Sequence, residues 1–194
     1  MSGALDRRRV VARLLAERGE ALVIAGLGSP AWDAAAAGDH ALTFPLWGAM
    51  GGAVPMALGL ALARPERRVI ALTGDGEMLM GLGALATVAA AAPANLAVVV
   101  LDNERYGETG GQQSHTARGV ELAAVARAAG FAAAETLAAE ADLAAAIATV
   151  LGAPGPVMAV FKIAPGTAPP ALPPRDGTWL KHRFRQALLG RIEG

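Results

Sequence analysis

The sequence predicts an α/β protein, a three-layer α/β/α arrangement around a mainly parallel sheet. Three observations carry that prediction. Short apolar runs alternate along the chain with segments of helical periodicity, the order expected of a parallel sheet covered by helices. One run, Leu96-Ala97-Val98-Val99-Val100-Leu101, has no polar alternation, as a strand buried on both faces requires. Two runs end on small polar residues, Thr73-Gly74-Asp75-Gly76 and Asp102-Asn103, where a chain leaves a strand.

The elements follow in order. Leu5 to Arg18 reads as a helix with Val10, Val11, Leu14 and Leu15 on its apolar stripe, stopped by Gly19. Arg7-Arg8-Arg9 in its first turns reads as a solvated face. Ala21–Ala25 is a short strand, followed by a turn, Gly26-Leu27-Gly28-Ser29-Pro30. Pro55 falls in the first turns of a helix running to about Ala63, as proline tolerates only there. Val69–Leu72 is a strand, Leu79–Ala91 a helix and Leu96–Leu101 a strand. Residues 103–119 are glycine-rich and polar, a long irregular loop of the kind that is functional or disordered. Helix Val120–Ala129, a strand near Ala132–Ala134, helix Ala141–Leu151 and strand Val157–Ile163 complete the alternation. Pro165–Pro174 reads as an extended arm, and Trp179–Leu189 as a final basic, amphipathic helix.

Composition narrows the function. A chain of 194 residues suits one domain, and 54% hydrophobic against 18% charged residues supplies a large core. Seventeen basic residues balance 17 acidic ones, so charge gives no case for nucleic acid or an anionic membrane as partner. With no cysteine, disulfides, cysteine-held clusters and thiolate zinc sites are excluded. Asp6 and three arginines interrupt any N-terminal signal core, and Pro93-Ala94-Asn95 breaks the apolar run from Gly83 to Leu101. The expectation is a soluble, cytoplasmic protein without a membrane span.

The chemistry centres on Asp75 and Asn103. Ligands of parallel sheets bind beyond the C-terminal strand ends, and each of these residues follows a strand directly. A carboxylate and an amide oxygen suit magnesium, which takes one or two protein groups plus phosphate oxygens. Gly74 and Gly76 allow close backbone approach, and a helix beginning near Glu77 points free N–H groups at a phosphate.

Gly74-Asp75-Gly76, a spacer of 25 residues and then Asp102-Asn103 resemble the diphosphate motif of thiamine diphosphate enzymes. That motif ends in Asn-Asn, and Asn103 matches its metal ligand. The resemblance implies that Asp75, Asn103 and the Arg105 carbonyl hold Mg2+. It places Gly74, Gly76, Glu77, Tyr106 and Gly107 around the cofactor. The segment Leu46-Trp47-Gly48-Ala49-Met50-Gly51 is similar to the one that meets the aminopyrimidine. There the Gly48 carbonyl would accept from the 4'-amino group, with Ala49 beside it and Met50 as the apolar wedge. Residues 1–164 would then form the thiamine diphosphate-binding domain and 165–194 a Pro-rich linker with the C-terminal helix.

The resemblance covers only a diphosphate-binding half. The activating glutamate is therefore expected on a second, pyrimidine-binding (alpha) subunit, making a hetero-oligomer with this chain as beta member. The loop from Asn103 to Thr116 resembles that of sulfopyruvate and phosphonopyruvate decarboxylases, which implies a 2-oxo acid substrate. An acetolactate synthase-like carboligase component and a non-catalytic cofactor-binding module are the alternatives. A ferredoxin oxidoreductase subunit is disfavoured by the absence of cysteine.

Simpler readings stand beside these. Asp75 also fits a helix N-cap, Asn103 a turn residue, Met50 plain core and Arg105 a solvated cation. Glu77 is expected to offset the helix dipole rather than to catalyse. His115 is a candidate proton donor or anion contact, against an exposed loop histidine. Thr109, Gln112 and Gln113 suit either cofactor contacts or loop caps. Gly26-Leu27-Gly28 lacks the third glycine of a dinucleotide fingerprint, and His40 and His182 have no partners at ligand spacing.

Overall fold

Each strand of the central sheet shows its side chains alternately to two helical layers. In the computed structural model, which describes residues 4–166 and 168–190, the strands are β1 (Leu22–Ala25), β2 (Thr43–Pro45), β3 (Val69–Gly74), β4 (Leu96–Asp102), β5 (Arg105–Tyr106), β6 (Gln112–Gln113), β7 (Ala133–Leu137) and β8 (Val157–Lys162). Six of them form one sheet in the order β2-β1-β3-β4-β8-β7, and every pairing in it is parallel. The helices are α1 (Arg7–Ala16), α2 (Ser29–Ala36), α3 (Ala53–Ala63), α4 (Asp75–Met80), α5 (Ala84–Ala91), α6 (Leu122–Ala129), α7 (Leu143–Gly152) and α8 (Gly177–Leu189).

The two-residue period of a strand explains the layers. Leu96, Val98 and Val100 of β4 pack with α3, α5 and α6. Ala97, Val99 and Leu101 of the same strand pack with α1, α2 and α7. All seven residues of β4 are buried, which is why its sequence shows no alternation.

Several expectations are corrected. Ser29-Pro30 opens α2 rather than closing a turn, because proline fits the first helical positions where its missing N–H goes unused. Strand β2 is new; it is three residues long and ends on Pro45, too short for a periodic signal. The single helix expected over 79–91 is two. α4 starts at Asp75, and the chain breaks at Gly81 because it presses against Gly51, where a Cβ on Gly81 would lie 2.6 Å from the Gly51 carbonyl oxygen. β7 extends to Leu137. Within the 103–119 loop, β5 and β6 form a small antiparallel hairpin.

Of Arg7-Arg8-Arg9 only Arg9 is a solvated side chain. Arg7 and Arg8 both pair with Asp33, whose side chain is fully buried between α1 and α2. No helix among the described residues is long and apolar enough to cross a membrane.

The C-terminal arm and α8 lie against the β2 edge. Asp176 caps α8 by accepting from the Trp179 amide at 3.0 Å. Phe184 meets Phe44 of β2 edge to face, with ring centroids 5.7 Å apart. Just beyond β2, Trp47 donates from Nε1 to the Pro174 carbonyl at 2.8 Å, and the Arg175 guanidinium covers its ring. Phe184→Ala should therefore cost about 3 kcal/mol, the usual loss for truncating a buried phenylalanine. Urea unfolding checks it; an unchanged midpoint would show that α8 contributes nothing to the core.

Candidate functional site

The strand order reverses between β1 and β3. From β1 the chain crosses to β2 on one side, and from β3 to β4 on the other. Such a switch point leaves a crevice beyond the strand ends. A cavity of about 210 Å³ opens there.

Asp75 is the first residue of α4 and is buried. Burial pushes its carboxyl above the usual range; Ser114 lowers it and the nearby charge of Asp102 raises it. Two loop hydroxyls address this pair of acids. Thr116 Oγ1 lies 2.8 Å from Asp102 Oδ1 and 3.4 Å from Asp75 Oδ2, with Ser114 Oγ 2.8 Å from Thr116 Oγ1. Asp102 is also held by Lys162 Nζ at 2.9 Å. Asp102 is thus occupied away from the cavity, whereas Asp75 and Asn103 both line it.

Asn103 Oδ1 accepts from the Arg105 amide at 2.9 Å, an Asx turn that fixes its side chain and leaves a second lone pair. Gly74, Gly76, Glu77, Met50, Arg105, Tyr106 and Gly107 border the same space. A Cβ on Gly74 would have only the Leu101 carbonyl oxygen near it, at 3.9 Å, so a cradle remains open at that position. Gly76 has a different reason: a Cβ there would sit 2.7 Å from the Tyr106 ring. Gly48 and Ala49 do not line the cavity and sit on the loop after β2, where Ala49 takes a positive φ of 60°. His115 also lies outside it, with Nδ1 3.3 Å from the Tyr106 hydroxyl.

Glu77 is more than a dipole-compensating acid. It is buried, and its carboxylate accepts from Thr73 Oγ1 at 2.9 Å and from the Ala53 amide at 3.4 Å. Burial pushes its carboxyl up, and the Thr73 hydroxyl and the amides of Ala53, Gly51 and Leu27 draw it down. Glu77 therefore ties α4 to the segment that follows Met50 and to the turn after β1. Gly26 exists to admit it, since a Cβ on Gly26 would lie 1.8 Å from Glu77 Oε2.

Sequence reading also missed Arg7, Ser29 and Glu108 on the cavity wall. Arginines in the first turn of α1 were the one available signal for Arg7, because the helix dipole disfavours cations there.

Two carboxamide or carboxylate oxygens and the Arg105 backbone together offer hard oxygen donors, the set that magnesium prefers. Among the described residues no three His, Cys, Asp or Glu side chains cluster as a metal site. A cation here would draw its remaining ligands from a bound phosphate and water. Residues that follow two parallel strand ends thus border one crevice, the place where a parallel α/β sheet takes a ligand.

Comparison with known proteins agrees. The family described as "Thiamine pyrophosphate enzyme, C-terminal TPP binding domain" matches residues 28–161, and the chain belongs to it. The beta subunit of sulfopyruvate decarboxylase from Methanothermobacter thermautotrophicus is 36% identical over 189 residues, covering 97% of this chain and 98% of that protein. Phosphonopyruvate decarboxylase from Streptomyces viridochromogenes is 42% identical over 156 residues, 80% of this chain but 39% of that one. A solved structure of a putative thiamin diphosphate-dependent enzyme from Mycobacterium smegmatis superposes with a TM-score of 0.72 at 26% identity, over 84% of this chain and 32% of that one.

The Glu77 strut is testable by a double-mutant cycle. Gly26→Ala should destabilise the protein by about 2 kcal/mol through overpacking. In a Glu77→Ala background the same change should cost at least ~1 kcal/mol less, because the clash is gone. Denaturant unfolding of the four proteins measures this; strict additivity would show that the two residues do not meet.

Proposed function

We propose that this chain is the diphosphate-binding, beta-type subunit of a thiamine diphosphate- and magnesium-dependent decarboxylase. Its substrate would be a 2-oxo acid bearing a second anionic group, as in sulfopyruvate or phosphonopyruvate. The observation that carries the reading is the shared cavity at the switch point, which buried Asp75 and half-buried Asn103 both line. The end-to-end match to a subunit named beta supports the split architecture.

In this reading Asp75, the Asn103 amide oxygen and the Arg105 carbonyl hold the metal. Gly74 leaves room for the diphosphate. Met50, on the cavity wall, and the Gly48 carbonyl, on the adjoining loop, set the aminopyrimidine ring. When bound, the cofactor supplies the electron sink for loss of carbon dioxide from a 2-oxo acid. The chain's own contribution is to position that cofactor and to keep water from its inner end.

The activating carboxylate is assigned to a pyrimidine-binding alpha subunit. Glu77 does not serve, because its oxygens are committed to Thr73 and to backbone amides. An apolar side chain at the cavity rim supports a partner there: Met80 lines the cavity yet is 62% exposed.

The chain alone is expected to release no carbon dioxide from sulfopyruvate, and the complex with its alpha subunit to release it. Within that complex Asp75→Asn should weaken cofactor binding by roughly 10- to 100-fold, the range for disturbing a metal site. An active chain without a partner, or an Asp75→Asn complex with full affinity, would contradict the assignment. With pyruvate as the substrate, acetolactate formed in place of acetaldehyde would favour the carboligase alternative.

A further inference from the structure

We propose that Arg7 is a diphosphate-binding residue of this site, a cation delivered to the cavity by α1 and held there by Asp33. The inference rests on the proposed function and deepens it.

Ahead of α1, Leu5 pairs in parallel with Ile163 at the end of β8; its amide donates to the Lys162 carbonyl at 3.2 Å, and the Ala164 amide donates to its carbonyl at 2.9 Å. The chain therefore enters α1 beside the C-terminal ends of β8 and β4. Asn103 follows β4 directly, and α2 packs against α1. Arg7, the first residue of α1, comes to the corner between that strand end and the first turn of α2. There it borders the cavity with Ser29 and Asn103.

Three arginines occupy the helix end where the dipole favours acids, and no acid lies in that first turn. Arg9 pairs outward with Glu140 at 2.9 Å and is mostly exposed. Arg8 pairs with Asp33 and donates to the Pro169 carbonyl in the C-terminal arm. Arg7 also pairs with Asp33, its side chain only 11% exposed. One buried carboxylate cannot neutralise two guanidiniums, so the Arg7–Arg8–Asp33 cluster keeps an excess positive charge at this corner of the cavity.

The wall also carries Asp75, Glu77 and Glu108 against one further arginine, Arg105, whose Nη1 donates to the Gly111 carbonyl at 3.0 Å. A diphosphate entering it meets acids that magnesium on Asp75 offsets only in part. A guanidinium presents paired donors to phosphate oxygens and stays ionised, which suits it to supply the missing charge. Asp33 fixes the guanidinium in place, so little of its freedom is lost on binding.

The test uses the complex with the alpha subunit, saturating magnesium and calorimetric titration of thiamine diphosphate and thiamine monophosphate. Arg7→Gln should weaken thiamine diphosphate by at least ~10-fold and shrink its advantage over the monophosphate, as expected for loss of a charge-assisted phosphate contact. Arg7→Lys should recover part of the affinity, and Arg9→Gln should leave it within about twofold, as expected of a surface ion pair. Unfolding of the cofactor-free variants, followed by circular dichroism, confirms that each is folded. Unchanged affinity in Arg7→Gln would overturn the proposal. So would equal losses in Arg7→Gln and Arg9→Gln. A raised KM for the 2-oxo acid with unchanged cofactor affinity would overturn it too, by assigning the charge to the substrate. Wild-type complex that fails to bind thiamine diphosphate would remove the proposed function itself; failure in Arg7→Gln alone leaves that function standing.

Discussion

Two carboxylates withdrawn from water at one strand end constrain the rest of this molecule. Asp75 and Glu77 sit two residues apart in the first turn of α4, both buried. A buried charge is costly unless paired or hydrogen-bonded. The protein treats the two acids differently. Glu77 is satisfied from within by Thr73 and by backbone amides from two other segments. Asp75 is left facing a cavity. The first acid braces the crevice, and the second is available to a cation in it.

This division explains the local glycines. Gly26 is small because the Glu77 carboxylate fills its Cβ position, and Gly76 because the Tyr106 ring does. Gly51 and Gly81 let the loop after β2 touch the end of α4. Gly74 alone of these keeps space for something outside the protein. The same crevice receives support from farther away. Asp33 anchors α1 against α2, while the Pro174 carbonyl holds the Trp47 indole beside the loop that carries Gly48 and Met50. The C-terminal arm thus restrains one rim of the cavity and α1 the other.

Much of this was legible in the sequence. The four central strands announce themselves as apolar runs, because a strand covered on both faces needs no polar positions. Asp75 and Asn103 could be paired because each directly follows such a run. The rest depends on contacts that no local pattern carries. Strand β2 has three residues and no period. The alanine-rich stretch from Leu79 to Ala91 looks uniformly helical, and only the Gly51–Gly81 approach breaks it. Glu77 reads as an ordinary first-turn acid until Gly26 and Ala53 are seen on either side of it. Arg7 reads as surface until the solitary Asp33, 26 positions away, is found buried between the helices.

The central claim is that Asp75 and Asn103 form one end of a magnesium-bridged diphosphate site. Calorimetric titration of thiamine diphosphate into the assembled complex, with magnesium and again with a chelator, tests it most directly. The account predicts binding that needs the metal and collapses when it is removed. Equal affinity in both conditions would contradict it.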